Sequence, residues 1–342
     1  MTGAAAQQPT VREVYQQFAQ CEAAGQSVVF EQWAAGVAAD PEVCAVIDTL
    51  PGVKRQPNLV FAAARWHGLE PGPYGALRRF LLERWNELVP TIMRRRTQTN
   101  EAGRCAQLVP LLASLPQPLA LIEVGASAGL TLVPDRYSYA YHCDEADAVR
   151  LDPDDGPSPL VLHSELHGIR PPSSLPLVVW RAGVDLDPID PRDPDARAWL
   201  ETLVWPGEDD RLARLRAALD LAAADPVPIV RGDLLDELPG LVAQAPAGAT
   251  LVVFHSAVIV YLDDAERQRF RDLVTSLPCR WVSNEGATVF PDLSGSVEAT
   301  RPAGSGHHLL SLDGVPVGWA QGHGRSLTWL SNPLPPQHNE TP

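Results

Sequence analysis

The 342-residue chain reads as an α/β protein: a doubly wound, mostly parallel sheet with an antiparallel edge hairpin, preceded by an all-helical N-terminal domain. Three patterns carry that expectation. Residues 11–115 place apolar side chains at helical spacing (Val11, Tyr15, Phe18; Phe30, Trp33, Val37), punctuated by prolines, with no alternating run. From Leu119 onward, short apolar runs of strand type alternate with helical patterns, the arrangement of a parallel sheet with crossover helices. At the end of the chain, runs at 307–312 and 326–330 around Asp313-Gly314 read as antiparallel strands.

The elements follow in order. A helical domain is expected over 10–117, its last helix (101–115) leading into the strand that starts at Leu119. That strand ends in Glu123-Val124 and passes through the small-residue turn Gly125-Ala126-Ser127-Ala128-Gly129 into a first crossover helix. An insertion over 137–170 carries alternation in Tyr137-Ser138-Tyr139-Ala140-Tyr141 and Leu160-Val161-Leu162-His163, read as a β-hairpin. Further strands are expected at 177–180, 227–230, 250–254 and 280–283, and helices at 195–203, 209–223 and 264–277. The α/β domain then spans 118–331, while 1–9 and 332–342 are too rich in Pro, small and polar residues to carry a fold.

Composition narrows the partners. A net charge of −15 argues against a nucleic-acid backbone and suits a small neutral or cationic molecule. The basic cluster Arg94-Arg95-Arg96, with Arg78, Arg79 and Arg84 upstream, reads as a solvated helical face or, alternatively, as a contact for an anion. Five widely spaced cysteines without a C-x-x-C imply a reducing compartment and neither a disulfide framework nor a zinc knuckle. With no leader-like start and no apolar run of membrane length, a cytoplasmic protein with no membrane partner is expected. Its oligomeric state is not legible.

In an open α/β sheet the ligand lies outside the carboxyl ends of the strands. The residues at those positions are polar here: Glu123 with the Gly125–Gly129 turn, Asp185 and Asp187, Asp233, His255 and Ser256, and Asn284 with Glu285. Glycines let a backbone approach a ligand closely. An acid after the second strand can accept ribose hydroxyls, and one after the third an adenine amino group, so the set reads as a nucleoside site. Asn100, in Thr97-Gln98-Thr99-Asn100-Glu101, opens the helix feeding the first strand and either caps it or overhangs the turn. His255 is the candidate base. Asp185, Asp187 and Asp190 form no convincing metal set, and His307, His308 and His323 lack ligand spacing on one face.

The order Glu123-x-Gly125-x-Ser127-x-Gly129, then Gly183-Val184-Asp185, then Gly232-Asp233 resembles the fold of S-adenosylmethionine-dependent methyltransferases, with Ser127 where that family usually has glycine. Over most of the chain, the segments 96–104, 123–137, 181–188, 199–206 and 254–257 resemble a bacterial domain-of-unknown-function family, family 2332, whose members look methyltransferase-like. The resemblance implies S-adenosylmethionine as cofactor, held by Glu123, Gly125, Ser127, Gly129, Asp185, Asp233 and Asn100. His255 and Tyr261 would then lie near a small-molecule methyl acceptor, with the helical domain as lid or platform. Two other readings stay open. Gly125-x-Ser127-x-Gly129 also spells a nucleophile elbow, making Ser127 the nucleophile of a serine hydrolase, with Asp233 or Asp185 as orienter and His255 or His323 as base. The pocket could equally serve a non-enzymatic nucleoside sensor. A nicotinamide site is disfavoured, since G-x-G-x-x-G is absent.

Overall fold

The structure, a computed structural model, describes residues 9–143, 146–304 and 306–330. The terminal segments expected to be unfolded, 1–9 and 332–342, lie outside these residues, Pro9 excepted. Among the described residues the chain forms eleven α-helices and one eleven-stranded sheet, divided between two compact units.

One unit takes the described chain up to Thr99 together with Pro194–Ala213. It holds α1 (Val11–Gln17), α2 (Val28–Ala39), α3 (Pro41–Ile47), α4 (Pro57–Trp66), α5 (Tyr74–Arg94) and α7 (Pro194–Leu203). Local chemistry starts these helices: Thr10 and Glu13 form a capping box, Ser27 caps α2, and Asp40 caps α3 ahead of Pro41. Their apolar stripes meet around Phe61, whose ring lies edge-on to Tyr15, Phe18, Phe30 and Trp33 at 5.1–6.4 Å. The segment 194–213 belongs here because it carries two tryptophans of this core. Trp205 stands 5.4 Å from Phe18, and Trp199 meets Trp66 at 5.7 Å, with the Arg95 guanidinium over both of the latter rings.

The second unit comprises 100–193 and the described residues from Arg214 on. It contains α6 (Cys105–Ala113), α9 (Leu234–Val242), α10 (Asp264–Ser276), α11 (Pro291–Gly295) and all the strands. These are β1 (Leu119–Val124), β2 (Ser138–Cys143), β3 (Ala146–Leu151), β4 (Val161–His167), β5 (Val178–Asp185), β6 (Ile229–Arg231), β7 (Thr250–Ser256), β8 (Arg280–Gly286), β9 (His307–Leu312), β10 (Val315–Gln321) and β11 (Ser326–Trp329). Their order is β3-β2-β4-β11-β10-β9-β8-β7-β1-β5-β6, with six of ten pairings parallel. The chain runs outward from β1 through β5 to β6, then returns to β7 on the other side, so the order reverses at β1. Every residue of β1 is buried, as a central parallel strand covered on both faces requires. Ala120, Ile122 and Val124 share a core with Leu238, Phe270 and Trp281, while Glu123 points to the opposite face.

Three local expectations are corrected. No α-helix follows β1: between β1 and β2 the chain makes turns and a short 3-10 segment, Pro134–Arg136. Leu130, Thr131, Leu132 and Val133 are all buried, so this stretch has no polar face to leave in water, and Pro134 closes it. The alternating runs at 137–141 and 160–163 do not pair as a hairpin; β3 is antiparallel to β2, whereas β4 lies parallel to it. The Asp313-Gly314 turn joins β9 to β10, a strand not foreseen, and β11 follows on β10.

Phe61→Ala should cost about 3–5 kcal/mol by urea denaturation, because four aromatic partners lose their common neighbour.

Candidate functional site

The turn after β1 lies where the strand order reverses. Gly125, Ser127 and Gly129 all have positive φ (76°, 49° and 71°), so the chain coils through left-handed conformations rather than starting a helix. With no helix to follow, each backbone N–H of the turn takes a local acceptor. Gly125 and Ala126 donate to the Val184 carbonyl at 2.8 and 3.2 Å, and Gly129 to that of Ala126 at 2.7 Å. Ser127 N–H donates to Asp185 Oδ2 at 2.8 Å, and Ala128 N–H to Asn100 Oδ1 at 3.1 Å. Asn100 Nδ2 also donates to Ser127 Oγ at 2.9 Å. Asn100 therefore pins the turn, and the cap ahead of α6 falls to Glu101, whose Oε1 accepts from Gly103 N–H at 2.9 Å.

The glycines answer to packing inside the protein. A Cβ on Gly125 would stand 2.3 Å from Val258, one on Gly129 2.4 Å from Val227, and one on Gly183 2.6 Å from Ala126. The close approach that these residues permit is to neighbouring side chains, where the sequence suggested a ligand.

The three acids expected to hold a nucleoside end adjacent strands along one edge: Glu123 near the end of β1, Asp185 at the end of β5, and Asp233 two residues beyond β6. Glu123 is buried; Thr131 Oγ1 donates to its Oε1, and Oε2 has no hydrogen-bond partner among the described residues. Burial raises its carboxyl to about 8, helped by Asp185 and opposed by Thr131 and Arg104. Asp185 accepts from Ser127 N–H and, through Oδ1, from Asp187 N–H at 2.7 Å. A carboxylate has about four lone-pair sites, so this one keeps acceptor capacity. Asp233 is exposed and caps α9, accepting from Leu235 N–H at 2.8 Å. Asp187 pairs with Arg231 at 2.7 Å and Asp190 with Arg192 at 2.9 Å.

His255, next to last in β7, lies on the core face. Its side chain is wholly enclosed by Phe270, Trp281 and Phe290, with both nitrogens engaged. The Trp281 indole N–H can only donate, so His255 Nε2 accepts from it at 2.9 Å, and Nδ1 donates to Glu285 Oε1 at 2.7 Å. Glu285 Oε1 also accepts from Val258 and Ile259 N–H at 3.0 and 3.1 Å. Burial alone would raise the Glu285 carboxyl; His255 and these two N–H groups outweigh it and hold it below its ordinary value. The pair thus ties the chain after β7 to β8. Tyr261 lies 66% exposed on that same connection, near the exposed Val260, while Leu186 is exposed beyond Asp185. Ser127 Oγ accepts from Asn100, and among the described residues no imidazole is hydrogen-bonded to it.

Residues given no role from the sequence complete the edge. Arg104 is buried and donates to the Ser256 and Gly322 carbonyls at 2.9 and 3.1 Å, and Glu101 takes Arg214 through both carboxylate oxygens at 2.6 and 3.0 Å. An acid and a base three residues apart at a helix start was their one sequence signal.

A family model described as an uncharacterized protein conserved in bacteria, DUF2332, matches residues 12–329. The chain belongs to that family. No curated protein and no solved structure matches it. In this DUF2332 chain Asn100, Ser127 and Asp185 together knot the turn after β1. No described helix is long and apolar enough to cross a membrane.

Two outcomes test these assignments. Glu123 takes up a proton on folding between the ordinary 4.5 and about 8. The stability that it contributes is therefore complete below the lower value and lost as pH rises through the upper. The melting temperature should fall from pH 5 to 8, and Glu123→Gln should flatten that fall by more than ~5 °C. Glu285→Ala should cost about 3–5 kcal/mol in urea denaturation, because it strands the His255, Val258 and Ile259 donors.

Proposed function

We propose that this protein binds a nucleoside-bearing ligand at the carboxyl edge of β1, β5 and β6, with S-adenosylmethionine as the first candidate, and transfers its methyl group to a small molecule. The observation that carries the reading is the unpartnered, buried Glu123 Oε2 beside the half-committed Asp185, at the point where the strand order reverses. The acceptors left at this edge call for a ligand rich in donors. The N–H groups of the turn are spent, so phosphates find no cradle there. Ribose hydroxyls suit the remaining lone pairs of Asp185 and an adenine amino group suits Asp233 Oδ2, while Glu123, protonated at neutral pH, offers its O–H to a ligand oxygen. A sulfonium charge suits an acidic edge in a chain of net charge −15.

When bound, the cofactor supplies an electrophilic methyl group. The chain's own part is alignment. Asn100 and Asp185 fix the turn from two sides before any ligand arrives, which lowers the ordering cost of binding. His255 is held by Trp281 and Glu285 and supports the loop through Val258 and Ile259, so it acts here as a positioning residue. The acceptor therefore arrives already nucleophilic, as an amine or a thiolate, against the exposed Tyr261, Val260 and Leu186.

Calorimetry should give dissociation constants of about 1–100 μM for S-adenosylmethionine and its demethylated product, and far weaker binding of NAD. Asp185→Asn should weaken both by about tenfold, ~1.4 kcal/mol, and should also lower the melting temperature, because the amide can accept from only one of the Ser127 and Asp187 N–H groups. Absence of heat from either compound at millimolar concentration overturns the reading.

A further inference from the structure

The helical unit carries a cleft of about 580 Å³ between the Gln26–Val29 approach to α2 and the stretch 201–212. This is within the range of about 300–1,000 Å³ typical of small-molecule sites. Its walls are mainly apolar, with Val28, Val29, Val204 and Trp205 among them. Val28 is 68% exposed at the start of a helix whose other apolar residues are largely packed. Trp205 packs against Phe18 and Phe30. Ser27 Oγ, bonded to the Pro206 carbonyl at 2.8 Å, ties the two sides together.

Arg65, at the end of α4, lines the same cleft. Its Nη1 alone makes both of its hydrogen bonds, to the Thr202 and Val204 carbonyls at 2.7 and 2.6 Å. Those contacts cap the end of α7 and fix the guanidinium plane, leaving Nη2 and Nε uncommitted. Arg65, half-buried, forms no ion pair among the described residues. Burial pulls its pKa down despite the pull of Glu70 in the other direction. Along the same stretch of the cleft Glu208 is neutralised by Arg211 at 2.8 Å, while Asp209, exposed at the first turn of α8 (Asp209–Ala224), makes no ion pair among the described residues. One unspent cation and one unspent anion thus line a mostly apolar cleft.

We infer that this cleft is a second ligand site, taking a zwitterion with an apolar body: an apolar α-amino acid or a short peptide. The carboxylate would meet the free edge of the Arg65 fork, the ammonium would face Asp209, and the apolar part would cover Val28 and the open side of Trp205. This site shares no residue with the strand edge proposed for the nucleoside, so either proposal can fail without the other.

Calorimetry on the full chain with phenylalanine, phenylalanyl-phenylalanine, phenylacetate and phenethylamine separates the contributions. A dissociation constant below ~1 mM is expected for phenylalanine or the dipeptide, with phenylacetate weaker and phenethylamine weakest. A tighter dipeptide identifies a peptide site and a tighter amino acid a free amino-acid site; both uphold the proposal. Arg65→Gln should weaken binding by at least about tenfold. Because Arg65 also caps α7, Val28→Trp, at an exposed position that fills the cleft, should abolish binding without lowering the melting temperature. Phenethylamine binding as well as phenylalanine, unchanged binding by either variant, or no heat from any probe at 10 mM ends the proposal.

Discussion

The turn that follows β1 has no helix behind it, and that constraint organises the edge of the sheet. Five successive backbone N–H groups, Gly125 to Gly129, sit where a crossover helix would normally have absorbed the chain, and burial leaves little water to satisfy them. Apart from the turn's own Ala126 carbonyl, which takes Gly129 N–H, the acceptors come from three places: the Val184 carbonyl of the neighbouring strand, the Asp185 carboxylate, and the Asn100 side chain ahead of α6. Each fixes something else in turn. Asp185 also orders the chain beyond β5 through Asp187, and Asn100 holds Ser127 Oγ. Val184 carries the register of β1 against β5. The left-handed conformations at Gly125 and Gly129 let all of these bonds form at once, and Val258 and Val227 fill the space that a side chain there would need.

Environment then divides the three strand-end acids, which look equivalent in sequence. Glu123 is enclosed, so the cost of burying charge outweighs its hydroxyl partner and Arg104, and the carboxyl rises to about 8. Asp185 sits at the border, where two N–H donors support it and water still reaches it. Asp233 is in solvent and spends one oxygen on a helix cap worth about 1 kcal/mol. A ligand crossing this edge would meet a neutral acid, a half-satisfied carboxylate and a solvated one, a graded series that suits hydroxyl and amino donors better than anions.

Much of this was legible. The continuous apolar run 119–124 announces a strand covered on both faces, and acids at successive strand ends mark the edge where the order reverses. What escaped follows from interactions that no local window contains. Leu130-Thr131-Leu132-Val133 has a composition a helix could accept; its burial on every side, with Thr131 turned to Glu123, decides otherwise. The return of 194–213 to the helical unit rests on Trp199 and Trp205, whose partners are more than a hundred residues away in sequence. His255 was read for its place after a strand, the feature that suggests catalysis. That Trp281 and Glu285 occupy both its nitrogens depends on the pairing of β7 with β8, which the sequence does not spell out.

The locked imidazole bears on how the edge can work. A histidine with both nitrogens bonded inside a ring of Phe270, Trp281 and Phe290 cannot exchange protons with a substrate without opening the core, yet it is built at some cost in buried polarity. What that cost secures is the path of the chain after β7: Glu285, oriented by His255, accepts the N–H groups of Val258 and Ile259 and so sets Val258 against Gly125. The turn is therefore braced from the β7 side by a buried polar pair and from the β5 side by Asp185. Between the braces the chain leaves Leu186, Val260 and Tyr261 exposed. A stiff polar floor under an exposed apolar rim favours recognition by position, because the acceptors are already in place and the ligand alone bears the ordering cost. Chemistry at such an edge would gain its rate from alignment rather than from a mobile proton carrier.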